Sequence, residues 1–265
     1  MLALTPIRSE KIWGYEDWIA STFPGSRQDD FAELTGDFPL LVKIIQANDT
    51  LSVQVHPDDA TAAQLEGAGA CGKTECWYVL DAVPGAQIVY GLKKNCTTEE
   101  LRQAIQTNTL ESKLHCVPVQ KGDFAFIPAG SVHAIGGGLR LLEVQQSCDI
   151  TYRLYDWGRL RALHVEKGLA SVRHAERAPI APMQDTFSCA YFTLQKCRVS
   201  DRLTLRCEKS GQLVFIAEGS GTIAAQKPGG STQRLTFQKE QMFALAAGED
   251  ITVSGTGDII VISAP

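Results

Sequence analysis

The chain has 265 residues, of which 44% are hydrophobic and 21% charged, and a formal net charge of −5. These proportions exclude a disordered chain and leave room for one large β domain or two smaller ones. The negative balance argues against nucleic acid or an anionic membrane as the main partner, so an anionic small molecule would need its own cluster of Lys and Arg. The first residues lack a basic, apolar export signal, and no apolar stretch reaches the ~20 residues that span a bilayer. Eight cysteines without a CxxC pair read as reduced thiols, which points to a cytoplasmic protein.

In chain order, strand character is found at Phe38–Gln46, Leu51–His56, Glu75–Asp81, Ala86–Gly91, Phe124–Ile127 and Leu139–Gln146. Three helical patterns interrupt the series. Pro57–Leu65 begins with a proline, favoured at a first helical position. Glu99–Ile105 follows Thr97 or Thr98 as a cap and carries acidic residues in its first turn. Val165–His174 sets Val165, Leu169 and Val172 at a helical period. Two prolines within Ala178–Met183 mark a domain boundary. Beyond it, strands are predicted at Phe187–Val199, Leu203–Cys207, Gln212–Ala217, Gly221–Ala225, Arg234–Phe237, Met242–Leu245 and Asp258–Ser263. Short strands with Gly-rich turns predict an all-β protein of barrels or sandwiches. The halves repeat: Lys121–Gly130 aligns with Lys239–Gly248, and Glu75–Ala82 with Gln212–Gly219. In that alignment Glu75 becomes Gln212 and His133 becomes Ile251.

Gln54, His56, Glu75 and His133 form a mixed nitrogen and oxygen set that suits a borderline divalent ion such as Zn²⁺ with one position open. Gln54 and His56 lie two apart, so a strand turns both to one face. Gln54 is a weak ligand, and a hydrogen-bonding role beside the metal is its alternative. Glu75 shares its alternating face with Trp77 and Val79 and points inward. Lys43 lies inside the apolar run Leu40–Ile45, where an ammonium is costly unless paired or functional. The simplest readings elsewhere are structural. His115, His164 and His174 lack such company, Arg159 and Arg161 read equally well as solvated charges, and Asp58 and Asp59 favour a helix start. The aromatic residues Trp77, Tyr78, Phe124 and Phe126 read as core.

Gly122–His133 fits Gly-x5-Pro-x-Gly-x2-His, the second motif of the cupin barrels. With Gln54-Val-His56-Pro-Asp, Lys73-Thr-Glu75 and Glu143–Arg153, the segment from Pro6 to Arg173 resembles the type I phosphomannose isomerases. That resemblance implies two cupin-like (jelly-roll) barrels with small helical additions: residues 1–178 catalytic and metal-binding, residues 184–265 metal-free. It implies one Zn²⁺ per chain on Gln54, His56, Glu75 and His133. Basic active-site residues fall on Lys43, Lys73 and Arg153, an acidic cleft residue on Glu143, and the phosphate end on Ser52 and Arg159. The implied reaction interconverts mannose 6-phosphate and fructose 6-phosphate through an enediolate, in a monomer or homodimer. The chain departs from the family at Trp13-Gly14-Tyr15, where members often read Trp-Gly-Gly, and in having at most a short remnant, Cys96–His115, of the helical domain of larger relatives. Two other classes share the ligand set: a cupin oxygenase holding Fe²⁺, and a non-catalytic sugar-phosphate-binding protein.

Overall fold

A computed structural model describes the whole chain except residues 94–95, 175–176, 208–210 and 227–229. It divides into two compact units, each discontinuous in sequence: Arg8–Asp17 with Val42–Pro182, and Met1–Ile7 and Trp18–Leu41 with Met183–Pro265. Strands are numbered β1–β20 and helices α1–α4 along the chain.

The unit of Arg8–Asp17 and Val42–Pro182 is built on two facing sheets. One runs β12 (Tyr152–Tyr155), β5 (Val53–Val55), β10 (His133–Ile135), β7 (Gln87–Leu92) and β8 (Leu114–Pro118). The other runs β13 (Ala181–Pro182), β9 (Asp123–Ile127), β6 (Glu75–Ala82), β11 (Leu139–Gln146), β4 (Leu40–Ala47), β3 (Gly14–Ala20) and β2 (Ile7–Lys11). Strand alternation sorts the side chains between layers. Ile45, Trp77, Val79, Ala125, Ile127, Leu139 and Leu141 from the longer sheet meet Ile88, Tyr90 and Ile135 from the shorter one in a single buried cluster.

The opposite face of the short sheet is buried too. Val53, Val55, Val89, Ala134, Tyr152 and Leu154 pack under Leu101, Ala104 and Ile105 of α3 (Thr98–Gln106) and Leu169 of α4 (Val165–Ser171). Each large aliphatic group buried this way stabilises by about 1.5–3 kcal/mol. Helix α3 is closed by a capping box, in which Thr97 accepts from the Glu100 backbone and Glu100 accepts from the Thr97 backbone. Helix α2 (Asp59–Glu66) starts later than its proline suggested, because the Asp58 side chain accepts from the Thr61 amide at 2.7 Å and so sets the N-cap. Helix α4 stops at Ser171, since Val172 is extended.

The second unit contains α1 (Asp29–Thr35) and one sheet ordered β1 (Leu2–Ala3), β19 (Met242–Leu245), β17 (Gln212–Gln226), β20 (Asp250–Ser263), β15 (Thr193–Val199) and β14 (Thr186–Ser188). β16 (Arg202–Arg206) pairs with β20, and β18 (Thr232–Gln238) with β17. The two runs Gln212–Ala217 and Gly221–Ala225 are thus one bent strand. Its first half pairs with β19 and its second half with β18, while β20 pairs with β15 at one end and β16 at the other. A register shift between Ile216 and Glu218 marks the bend. One continuous sheet thereby makes two layers, with Ile216, Ile223, Phe237, Phe243, Ile251, Val253 and Ile259 buried between them.

In neither unit do the described strands close into a ring. The expected barrels are instead open, facing layers. Prolines at edge positions, Pro118 of β8 and Pro182 of β13, have no N–H to extend the pairing. All eight cysteines are free, and no described helix is long and apolar enough to cross a membrane.

At the bend, Gly219 has φ +97°, and a Cβ there would stand 1.9 Å from the Thr256 carbonyl oxygen. Gly219→Ala is expected to lower the unfolding free energy by about 2–5 kcal/mol, from left-handed strain and overpacking together. Urea unfolding measures this, and an unchanged midpoint would contradict the account of the bend.

Candidate metal centre

Three adjacent strands present the centre from one side. Arg153 on β12 and His133 on β10 both lie opposite Gln54 on β5, so the three residues share the face turned toward the longer sheet. The Gln54 amide nitrogen is 3.3 Å from His133 Nε2, and the isosteric amide could present its oxygen there after a half-turn. His56 follows β5 immediately, and its carbonyl accepts from the Gly130 amide, which ties it to the turn leading into His133. From the facing sheet, β6 contributes Glu75, which is fully buried.

Each imidazole is oriented by its outer nitrogen. His56 Nδ1 lies 2.8 Å from the Ile150 carbonyl, and His133 Nδ1 lies 2.9 Å from the Ser131 carbonyl. A carbonyl only accepts, so both Nδ1 atoms carry the proton and both Nε2 lone pairs turn inward. His56 Nε2 is 3.5 Å from Glu75 Oε2, and His133 Nε2 is 3.3 Å from Glu75 Oε1. Donors bound at 2.0–2.1 Å to a tetrahedral ion stand about 3.3–3.4 Å apart. These two distances are close to that, and one donor atom from each of the three residues lies within 4.8 Å of the others. The chemistry fits as well. Glu75 Oε1 is a buried carboxylate oxygen with no hydrogen-bond partner among the described residues. Burial holds both rings below the ordinary histidine value, His133 at about 4, which keeps them in the neutral form a metal requires. For His56 the positive Lys73 adds to that effect.

Buried charged groups surround these ligands. Lys73 donates to Glu75 Oε2 at 2.5 Å and lies 3.2 Å from His56 Nε2. Its ammonium is held above the ordinary lysine value, because the attraction of Glu143 and Glu75 outweighs the larger single effect of burial. Glu143, opposite Trp77 in the β11–β6 ladder, accepts from the indole N–H at 2.9 Å and lies 3.5 Å from Lys43 and 3.8 Å from Lys73. Burial first, then Glu75, raises its carboxyl. Lys43 also lies 3.8 Å from Glu16 on β3.

Arg153 is braced by backbone: its amide donates to His164 Nδ1 at 3.1 Å and its guanidinium to the Ala162 carbonyl at 2.8 Å. Its Nε is buried without a hydrogen-bond partner among the described residues. Burial, then Arg161, pulls its pKa down. Arg159 and Arg161 both clamp the buried Asp156, and Arg159 also donates to the Thr50 carbonyl at 2.7 Å. Ser52 is buried, with its hydroxyl 3.5 Å from the Gln54 amide oxygen. The structure thus gathers Lys43, Gln54, His56, Lys73, Glu75, His133 and Glu143 into linked contacts, with Ser52 at the margin. Arg159 holds the 49–51 turn and Asp156, and among the described residues none of its contacts is to that cluster.

Four partners escaped the sequence reading. Glu16 and Asp156 carry no motif, Trp77 reads as core, and His164 reads as structural although it positions Arg153. Only a pairing register would have found them.

Two imidazoles and a carboxylate converge between the sheets of a β-sandwich in an arrangement that could hold a metal ion. The model of the type I phosphomannose isomerase catalytic domain matches residues 4–71, and that of the mannose-6-phosphate isomerase cupin domain matches residues 183–264. The mannose-6-phosphate isomerase of Streptococcus mutans is 39% identical over 248 residues, covering 85% of this chain and 73% of that protein. ManA of Bacillus subtilis is 41% identical over 209 residues, covering 72% of this chain and 65% of that protein. The crystal structure of the Bacillus subtilis mannose 6-phosphate isomerase superposes with a TM-score of 0.83 at 28% identity, covering 98% of each chain. The chain belongs to the mannose-6-phosphate isomerase family.

The ring environments set a pH dependence. In an unfolded chain the histidines titrate near 6.5, above their folded values, so the unfolded state binds more protons between pH 6.5 and about 4. Stability is complete above that window and falls as pH drops through it. Urea titrations of metal-stripped protein from pH 7 to 4.5 should show this fall, with a slope shallower by about one proton in His133→Gln. Parallel slopes would contradict the neutral buried ring.

Proposed function

We infer that the chain is an aldose–ketose isomerase interconverting D-mannose 6-phosphate and D-fructose 6-phosphate. The observation that carries this reading is the convergence of His56, Glu75 and His133 on one buried point in a member of this family. We take His56, Glu75, His133 and Gln54 as the ligands of one zinc ion per chain. Bound there, zinc would supply Lewis-acid polarisation of the sugar carbonyl.

The remaining groups supply proton transfer and charge. Trp77 fixes Oε2 of Glu143, which leaves Oε1 beside Lys43 and Lys73. A buried carboxyl whose pKa is raised can both take and return a proton, so Glu143 moves it between C1 and C2. Lys73 and Arg153 hold the negative charge of the enediolate, Lys73 as a permanent ammonium and Arg153 through its unpaired Nε. Lys43, Lys73 and Arg153 balance Glu16, Glu75 and Glu143, three against three. A divalent ion leaves the site positive by two, which matches a phosphomonoester of charge about −1.5 to −2. Ser52 and Arg159 serve the phosphate end, Arg159 through a buried Nη1 without a hydrogen-bond partner among the described residues.

In this reading the unit of Arg8–Asp17 and Val42–Pro182 is the catalytic, metal-binding part expected within residues 1–178. The unit that contains residues 184–265 together with Met1–Ile7 and Trp18–Leu41 is the metal-free cupin part, and both are jelly rolls opened at their edges. The eight free thiols fit a reducing cytoplasm, with the chain acting as a monomer or homodimer.

Purified protein given mannose 6-phosphate should form fructose 6-phosphate, lose the activity to a chelator and regain it with Zn²⁺. Persistent turnover at full chelation would exclude the reading. Arg153→Ala should keep its metal while kcat falls by about 10²–10³-fold, as for removal of one oxyanion donor. Near-parental kcat there would remove Arg153 from the chemistry.

A further inference from the structure

Two cysteines that play no part in the reaction meet beside the ligand cluster. The Cys148 thiol points at the Cys71 carbonyl oxygen at 3.0 Å, and the Cys71 thiol at the Ser147 carbonyl oxygen at 3.6 Å. These reciprocal contacts set each thiol against the backbone of the other segment, so the two cysteines are neighbours. Cys71 is half-buried and open to small solutes, whereas Cys148 is buried. Both segments lead straight to site residues. Cys148 Sγ accepts from the Ile150 amide at 3.4 Å, and the Ile150 carbonyl is the group that orients His56. The Cys148 carbonyl accepts from Gln145, which lies opposite Glu75 in the ladder. Two residues after Cys71 comes Lys73, whose amide donates to the Pro57 carbonyl next to His56.

We propose that Cys71 and Cys148 are an oxidisable dithiol, which a hydroperoxide converts to a disulfide that loosens the metal centre. The Cys71 thiolate attacks one peroxide oxygen, forming an S–O bond as the O–O bond breaks and hydroxide leaves. The Cys148 sulfur then attacks the sulfenic sulfur. The S–S bond forms, the S–O bond breaks, and the Cys148 proton leaves with the departing hydroxide as water. In sum, two thiols lose two electrons and two protons, and hydrogen peroxide becomes two waters. Solvent access makes Cys71 the first thiol to react. Burial pushes the Cys148 thiol up to about 12, so it resolves and does not initiate.

Forming a bond of about 2.05 Å draws the Cys71 and Cys148 sulfurs together. The 148–150 turn moves with them, and with it the carbonyl that aims His56. Loss of such an outer partner weakens metal binding by about 10–100-fold.

The test treats metal-loaded, full-length protein with hydrogen peroxide, alkylates it, and maps peptides without reduction. A Cys71–Cys148 linked peptide is expected, with metal affinity about tenfold or more weaker and restored by dithiothreitol. Cys71→Ser should keep the metal affinity and activity of the reduced parent, form no crosslink and resist peroxide. Cys148→Ala, should Cys71→Ser fail to fold, should likewise form no crosslink. Separate alkylation of both thiols after peroxide would overturn the proposal, as would a crosslink without change in metal affinity or a Cys71→Ser protein as peroxide-sensitive as the parent. The crosslink and metal readouts do not require isomerase activity. A chain that shows both but never isomerises its sugar phosphate would sink the functional reading and leave this one standing.

Discussion

The Glu75 carboxylate is fully buried, and the arrangement of the site follows from that. A buried anion without compensation costs several kcal/mol, so the surrounding fold must answer it. It is answered by the Lys73 ammonium, while the Nε2 lone pairs of His56 and His133 stand within 3.5 Å of the carboxylate and leave room for a cation. Those groups need partners of their own. Lys73 also faces Glu143, Glu143 faces Lys43, and Lys43 faces Glu16. One carboxylate thus draws a row of alternating charges across β6, β11, β4 and β3, all on the face turned into the sandwich. The same low dielectric that makes the row costly makes each of its charges effective on a substrate.

The short sheet makes such a row tolerable. Its other face is sealed by apolar residues under α3 and α4, so β5, β10 and β12 read as apolar runs broken by single polar residues: Gln54, His133 and Arg153. Those interruptions are the site. Rigidity comes from backbone groups, since Ile150, Ser131 and Ala162 carbonyls aim His56, His133 and Arg153 in turn. Side chains aimed by hydrogen-bonded backbone hold the geometry that binding and catalysis require.

The meeting of His56, Glu75 and His133 was legible in the sequence because they sit on or beside strands with strong β character and in a turn motif with glycines. Lys43 was legible for a different reason, as a cation in an apolar run that only pairing could justify. What sequence could not supply was register. Trp77 reads as core until β11 places Glu143 opposite it, and Glu16 reads as a surface acid until β3 runs beside β4. Asp156 lies between an aromatic pair and looks like turn punctuation, yet it is buried beneath two arginines. Strand spacing predicts barrels or sandwiches, and the family resemblance implies barrels. Strand count carries no information on whether edge strands pair, and Pro118 and Pro182 act against it.

The second unit shows what this architecture becomes without Glu75 and its partners. Gln212 stands where the repeat places Glu75, and its amide donates to the Ser263 hydroxyl at 3.2 Å. Ile251 stands where the repeat places His133 and is fully buried. Between the layers lie Val214, Ile216, Ile223, Phe237, Phe243 and Val253, and the unit's buried Glu249 is answered by the Met1 ammonium at 2.5 Å. An interior filled with hydrocarbon needs no aiming carbonyls or alternating ion pairs, and its strands are free to run long and bend at glycines. The polar interior of the unit holding Glu75 is therefore not demanded by the sandwich. It persists against the cheaper apolar filling, and its His56, Glu75 and His133 stand where they could hold a cation.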